Sequence, residues 1–158
     1  MQKQKGWLTL TKDTAVLVDT NIALDWLLAR EPFHEHAKRI SEPCLRGALK
    51  GYLASHTLLN VFFIARKEKT VEERKEILLL LCKKFEIVNI NKKMIIAALN
   101  NQAWNDLEDG LQMHCAVIRD VDYIITRDPT GFTASQITVL SPETFIEGGT
   151  YAKAAHPH

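Results

Sequence analysis

Four consecutive apolar residues, Ala15-Val16-Leu17-Val18, run into Asp19-Thr20-Asn21, and Tyr123-Ile124-Ile125-Thr126 runs in the same way into Arg127-Asp128. Runs of this length without polar alternation read as strands buried on both faces, the pattern of a parallel sheet covered by helices. Elsewhere the spacing of apolar positions turns helical. A helix is expected over 22–29, and a second over 33–50 opened by Pro32, since proline suits a first helical turn. Ser55 reads as the N-cap of a helix over 56–67 that follows a short strand at 51–54. Thr70 and Glu73 form a capping-box signature for a helix to Lys84, with the apolar stripe Ile77, Leu78, Leu81 and Phe85. A strand over 86–90 follows, then a helix capped by Asn91, a longer helix over 106–119, strands over 122–126 and 137–140, and a last helical turn over 142–146. Residues 1–14 read as an arm or edge strand and 15–147 as the domain. Gly148-Gly149 marks its end, and 148–158 is expected to be a mobile tail.

Strands separated by helical crossovers imply an α/β fold with a mostly parallel central sheet and helices on both faces. In such a sheet, a helix leading into the next strand begins at the carboxyl rim. Asn60, Asp106 and Asp109, early in their helices, are thereby delivered beside Asp19 and Asp128, at the rim where ligands bind in open α/β sheets. An acidic cluster there points to a divalent cation and to chemistry on a phosphate-bearing molecule.

At 158 residues the chain has the size of one domain. A formal net charge of +1 excludes a uniformly basic nucleic-acid binder and requires any such contact to be local. Cys44, Cys82 and Cys115 have no metal-ligand spacing and read as small buried side chains, which suits a reducing compartment. No apolar stretch approaches membrane-spanning length, and the lysine-bearing N-terminus lacks the apolar core of a signal peptide; a cytoplasmic protein without membrane attachment is expected. Gly-rich phosphate loops, serine elbows and zinc spacings are absent from the sequence.

Each candidate has a plain structural reading beside the functional one. Asp106 and Asp109, three apart, share a helical face, while Glu108 is expected to point elsewhere. Acids in a first turn complement the helix dipole, which suffices for Asp106. Asp109 lies on a helix whose neighbours suggest burial, and a carboxylate among carboxylates needs a cation to stay ionised. Asp19 directly follows a buried strand, with Thr20 and Asn21 available for turn and cap. Asp128, before Pro129, reads equally as a turn residue or a ligand. Asn60 sits in an apolar run and must find hydrogen bonds, either at the rim or on a neighbouring backbone. Asp25 is expected to be solvated, Asp122 to lie at the opposite rim, and the histidines not to assemble. The lysines and arginines of 66–84 read as a solvated helix face, whereas Arg127 is placed to touch a nucleic-acid phosphate.

Val18-Asp19-Thr20-Asn21, the segment Asp106 to Gln112, the segment Asp122 to Asp128 and Ser141-Pro142-Glu143-Thr144-Phe145 together resemble the PIN-domain ribonucleases, including the VapC-type toxins of toxin–antitoxin systems. The similarity is ordered and spans about 16–145. It implies a three-layer α/β/α sandwich, endonucleolytic cleavage of RNA with Mg²⁺ or Mn²⁺, frequent homodimerisation and, for the toxin branch, a small antitoxin partner. By position it implies Asp19, Asp109 and Asp128 as metal-binding catalytic acids, with Asp106 a further ligand and Asn21, Asn60 and Thr126 in support. The family's remaining acid falls where this chain has Asn60. Ions of this kind take oxygen ligands, keep several waters and lower the pKa of bound water. With no histidine placed as a general base, water attack leaving 5′-phosphate and 3′-hydroxyl ends is favoured. The competing readings are a PIN-like module that binds RNA or protein without cleaving, and a haloacid-dehalogenase-like phosphatase, which wants a second acid at position 21, where this chain has Asn.

Overall fold

The structure, a computed structural model, describes residues 8–132 and 135–151. Five strands, β2 (Ala15–Val18), β3 (Lys50–Ala54), β4 (Glu86–Val88), β5 (Tyr123–Ile125) and β6 (Thr138–Leu140), form one parallel sheet in the order β4-β3-β2-β5-β6. The order reverses at β2. The chain steps outward from β2 through β3 to β4, then returns to the other side of β2 for β5 and β6, so the topological switch point lies between β2 and β5.

The alternation along β2 builds two cores. Val16 and Val18 face one layer, with α1 (Thr20–Leu27), α2 (His34–Leu45), α4 (Val71–Lys84) and α7 (Pro142–Gly148); Ile22, Ile40, Leu81 and Phe145 are buried there. Ala15 and Leu17 face the other layer, with α5 (Lys92–Asn100) and α6 (Leu107–Ile118) supplying Met94, Ala98, Leu111 and Cys115. Both faces of β2 and β5 are therefore dry, which is why their sequences are apolar without alternation. The expected α/β/α sandwich is the fold found.

Several boundaries differ from those expected. The second helix ends at Leu45, and Pro32 precedes it, joined to Glu31 by a cis peptide bond, without entering its first turn. The helix after β3 is α3 (Ser55–Ile64), continued by a 3-10 turn at Ala65–Lys67. Its N-cap is Ala54, and the Ser55 hydroxyl instead accepts from the Ile90 amide across 3.2 Å, tying α3 to the chain leaving β4. The Thr70/Glu73 capping box and the Asn91 cap form as expected. Cys44 and Cys115 are buried, but Cys82 is exposed. Leu8–Leu10 is β1, and its partner is β7 (Gly149–Tyr151), in parallel register. The glycine pair thus leads into a strand rather than directly into a tail; residues 152–158, also expected to be mobile, lie outside the described residues.

Candidate functional site

The carboxyl ends of β2 and β5 meet through one hydroxyl. Thr126, nearly fully buried, donates from Oγ1 to Asp19 Oδ2 across 2.9 Å and accepts from the Asp128 amide across 3.2 Å. Asp19 also caps α1, its Oδ1 accepting from the Thr20 amide at 2.8 Å. The sequence had left that capping to Thr20 and Asn21. Instead Thr20 is buried, its hydroxyl 2.8 Å from that of Thr57 and donating across 3.0 Å to Glu108 Oε1, while Asn21 is exposed on the wall of the cleft. Burial pushes the Asp19 carboxyl above the usual range, opposed by the Thr126 and Thr20 hydrogen bonds.

Asp106, Glu108 and Asp109 enter from the start of α6. Asp106 is the N-cap, accepting from the Asp109 amide across 3.0 Å, so its plain structural role is realised while it still lines the cleft. Asp109 is pushed up to about 6, by burial first and then by the negative charges of Asp106, Asp19, Glu108 and Asp128. Its Oδ2 and that of the exposed Asp128 face the same spot: a Cβ built on Gly131 would lie 3.3 and 3.4 Å from them. The absence of a side chain at Gly131 leaves that space to a ligand. A short hydrogen bond from Thr130 also holds Asp128.

Glu108 does not point elsewhere. Its Oε1 accepts from Asn60 Nδ2 and from Thr20 Oγ1, each across 3.0 Å, and lies 3.5 Å from His56 Nε2. His56, in the first turn of α3, therefore reaches the rim through Glu108, a contact the sequence did not foretell. The nearby His56 ring foremost, then the Thr20 and Asn60 donors, hold the Glu108 carboxyl below the usual range despite its partial burial. Asn60 thus faces the rim, and its amide serves a carboxylate. Gln112, fully buried, contacts Asp19 Oδ1, Thr20 Oγ1 and Thr57 Oγ1, each at 3.4 Å. Gln112 was missed although it lies one helical turn beyond Asp109, a spacing that marks a shared face. Thr57 left no signal in the sequence.

The expectation of a solvated Asp25 fails. Asp25 is fully buried, because Arg127 reaches back from β5 to place Nε 2.9 Å from its Oδ2, with Arg30 3.9 Å away on the other oxygen. The Arg127 guanidinium also covers the Phe33 ring at 4.0 Å. Its charge is thereby engaged inside the fold, although the side chain still lines the cleft. Asp122 accepts from the Ala15 amide at 2.8 Å at the opposite rim, a structural role as expected.

The acids line a cleft of about 410 Å³. Among the described residues, no three His, Cys, Asp or Glu side chains form a ready-made metal cage. The charged donors at hand, Asp19, Asp106, Glu108, Asp109 and Asp128, are carboxylates, which fits a hard cation that keeps most of its water and takes one or two of them. The charge crowding at Asp109 is what such a cation would relieve.

A family model described as PIN domain matches residues 15–130. The chain belongs to the PIN-domain family. Structures that superpose on this PIN domain include a toxin–antitoxin complex from Klebsiella pneumoniae, with TM-score 0.61 at 23% identity, covering 80% of this chain and 97% of that one. FitAcB from Neisseria gonorrhoeae superposes with TM-score 0.58 at 19% identity over 81% and 98% of the two chains. VapC20 from Mycobacterium tuberculosis, a toxin that cleaves the sarcin-ricin loop, does so with TM-score 0.55 at 12% identity over 69% and 86%. At these identities the likeness is one of fold. No curated protein matches the sequence.

Proposed function

We propose that this PIN domain is an endoribonuclease dependent on Mg²⁺ or Mn²⁺, with Asp19, Asp109 and Asp128 as its metal-binding acids. The observation that carries the reading is the crowding of Asp109 by four further carboxylates at the switch point of the sheet, where a carboxyl pushed up to about 6 is relieved by a cation. Asp19 and Asp128 share Thr126, so the two strand ends present their acids as one unit. Asp106 adds charge at the rim and fixes the start of α6. When bound, the ion supplies an acidified water and stabilises the charge that builds on phosphate oxygens during cleavage. The residues themselves orient the acids, exclude bulk water from Asp19 and leave the Gly131 side open for a phosphodiester.

The role as the toxin of a toxin–antitoxin pair is part of the same proposal. The structural neighbours include a toxin–antitoxin complex, and Leu59, Phe63 and Leu79 stand exposed on α3 and α4, as a surface covered by a small partner protein would have them. Ile96 and Leu99 on α5, with Val117 and Ile118 at the end of α6, supply apolar area suited to a homodimer. A cytoplasmic location fits an RNA substrate.

The deciding experiment is RNA cleavage by the purified chain with Mn²⁺, with EDTA, and by Asp19→Asn. Asparagine remains a good N-cap, so the variant should fold, and cleavage should fall at least about a hundredfold, the upper end of what disturbing a metal's surroundings costs. Parent cleavage that is no greater than that of Asp19→Asn and is untouched by EDTA is contaminant background, and would leave the non-catalytic binding module as the reading.

A further inference from the structure

Position 60, where the resemblance leads one to expect an acid, carries an amide, and that amide is not idle. Asn60 Nδ2 donates to Glu108 Oε1 across 3.0 Å, bridging the second turn of α3 and the first turn of α6. Thr20 Oγ1 donates to the same oxygen at 3.0 Å, and His56 Nε2 stands 3.5 Å from it. Three groups from two other helices, Asn60 and His56 on α3 and Thr20 on α1, converge on Oε1, while no described hydrogen bond or ion pair uses Oε2. Glu108 and Asn60 line the same cleft as Asp19, Asp109 and Asp128. A glutamate serving only as a solvated helix-start charge would not be gripped in this way, because holding a long side chain in one rotamer costs entropy that an exposed charge has no contact to offset.

We propose that Glu108 supplies the carboxylate that position 60 lacks, with Asn60 as the residue that positions it toward the cation. The geometry explains why Asn60 is not itself acidic. A carboxylate at position 60 would face Glu108 at hydrogen-bond distance, and two such groups cannot both stay ionised without a proton or an ion between them. An amide offers a donor instead, fixing Oε1 and leaving the other oxygen for a ligand. One acid is thus shared between α3 and α6, and in this chain it is carried by α6. His56 and Thr20 complete the grip from α3 and from the first turn of α1.

This inference rests on the metal-dependent reading above, and its test separates the two. Mn²⁺ affinity is measured by calorimetry on the full chain for Glu108→Gln, for the reciprocal exchange Asn60→Glu/Glu108→Gln, and for Asp19→Asn, with thermal unfolding in EDTA for each. Glu108→Gln should weaken Mn²⁺ binding by about 10- to 100-fold. The reciprocal exchange returns one acid and one amide to the same pair of positions, and should recover affinity to within a few-fold of the parent. A merely structural clamp predicts the opposite pattern, with lower unfolding temperature and unchanged affinity. Parental affinity in Glu108→Gln, or an exchange variant no better than Glu108→Gln, would overturn the proposal. Should Glu108→Gln fail to fold, the folded exchange variant decides alone: parental affinity supports the proposal and a loss above tenfold refutes it. If Asp19→Asn also binds Mn²⁺ like the parent, the metal centre itself is refuted; if only Asp19→Asn loses binding, the error lies with Glu108.

Discussion

Thr126 and Asp19, 107 residues apart in sequence, are joined by a 2.9 Å hydrogen bond that ties the end of β5 to the end of β2. Because Thr126 also accepts from the Asp128 amide, a single hydroxyl sets the relative position of two acids. Thr126→Val keeps the shape and removes both bonds, leaving Asp19 Oδ2 buried without its donor. The expected cost is about 1–3 kcal/mol of stability, together with weaker Mn²⁺ binding, while Thr126→Ser should retain both. Urea unfolding and calorimetry on the two variants check this. A valine variant with parental stability and affinity would show that the bond positions nothing.

Asp109 should govern part of the pH dependence. Its folded-state pKa, about 6, lies above the ordinary 3.8, so between those values the folded chain binds more protons than the unfolded chain. Stability without metal therefore falls as pH rises through that window and returns on acidification. Asp19 and Asp25, also raised, act in the same direction. Unfolding temperatures in EDTA between pH 4 and 7 should show this decline, and Asp109→Asn should flatten it. A profile as steep in Asp109→Asn as in the parent would place the effect elsewhere.

Metal should reverse the penalty. A cation that binds only the folded site stabilises it by about 2.7 kcal/mol at a hundredfold excess over its Kd. Unfolding temperature at pH 7.5 should rise with Mn²⁺ in the parent and stay level in Asp109→Asn. At pH 5, where Asp109 is mostly protonated, the rise should shrink.

Arg127 should matter to the fold before it matters to any nucleic acid. Removing it leaves Asp25 buried with Arg30 at 3.9 Å as its remaining cation. Breaking a buried ion pair costs about 3–5 kcal/mol, and the partial exposure of Arg127 places Arg127→Ala at the low end. Arg127→Lys should rescue only part, since a point charge cannot both pair with Asp25 and cover Phe33. Chemical denaturation compares them; a fully stable alanine variant would return Arg127 to the role of an RNA contact.

The sequence by itself determined the sheet, the rim and three acids. Unbroken apolar runs at 15–18 and 123–125 can be accommodated only where both faces are covered, and the crossover helices then place Asp19, Asp109 and Asp128 at one edge. The Thr70/Glu73 and Asn91 caps were legible because they are local, each made within one helical turn. What only the tertiary structure decided is which side chains face one another across elements. Glu108 read as pointing away from the other acids until α3 brought Asn60 and His56 against it, and Asp25 looked solvated until Arg127, just beyond β5, turned back to cover it. Gln112 and Thr57 became part of the Asp19 network in the same way. Period and composition reveal burial because burial is a property of one residue and its own element. A pairing is a property of two elements, and it is set by the crossing of helices and the order of strands.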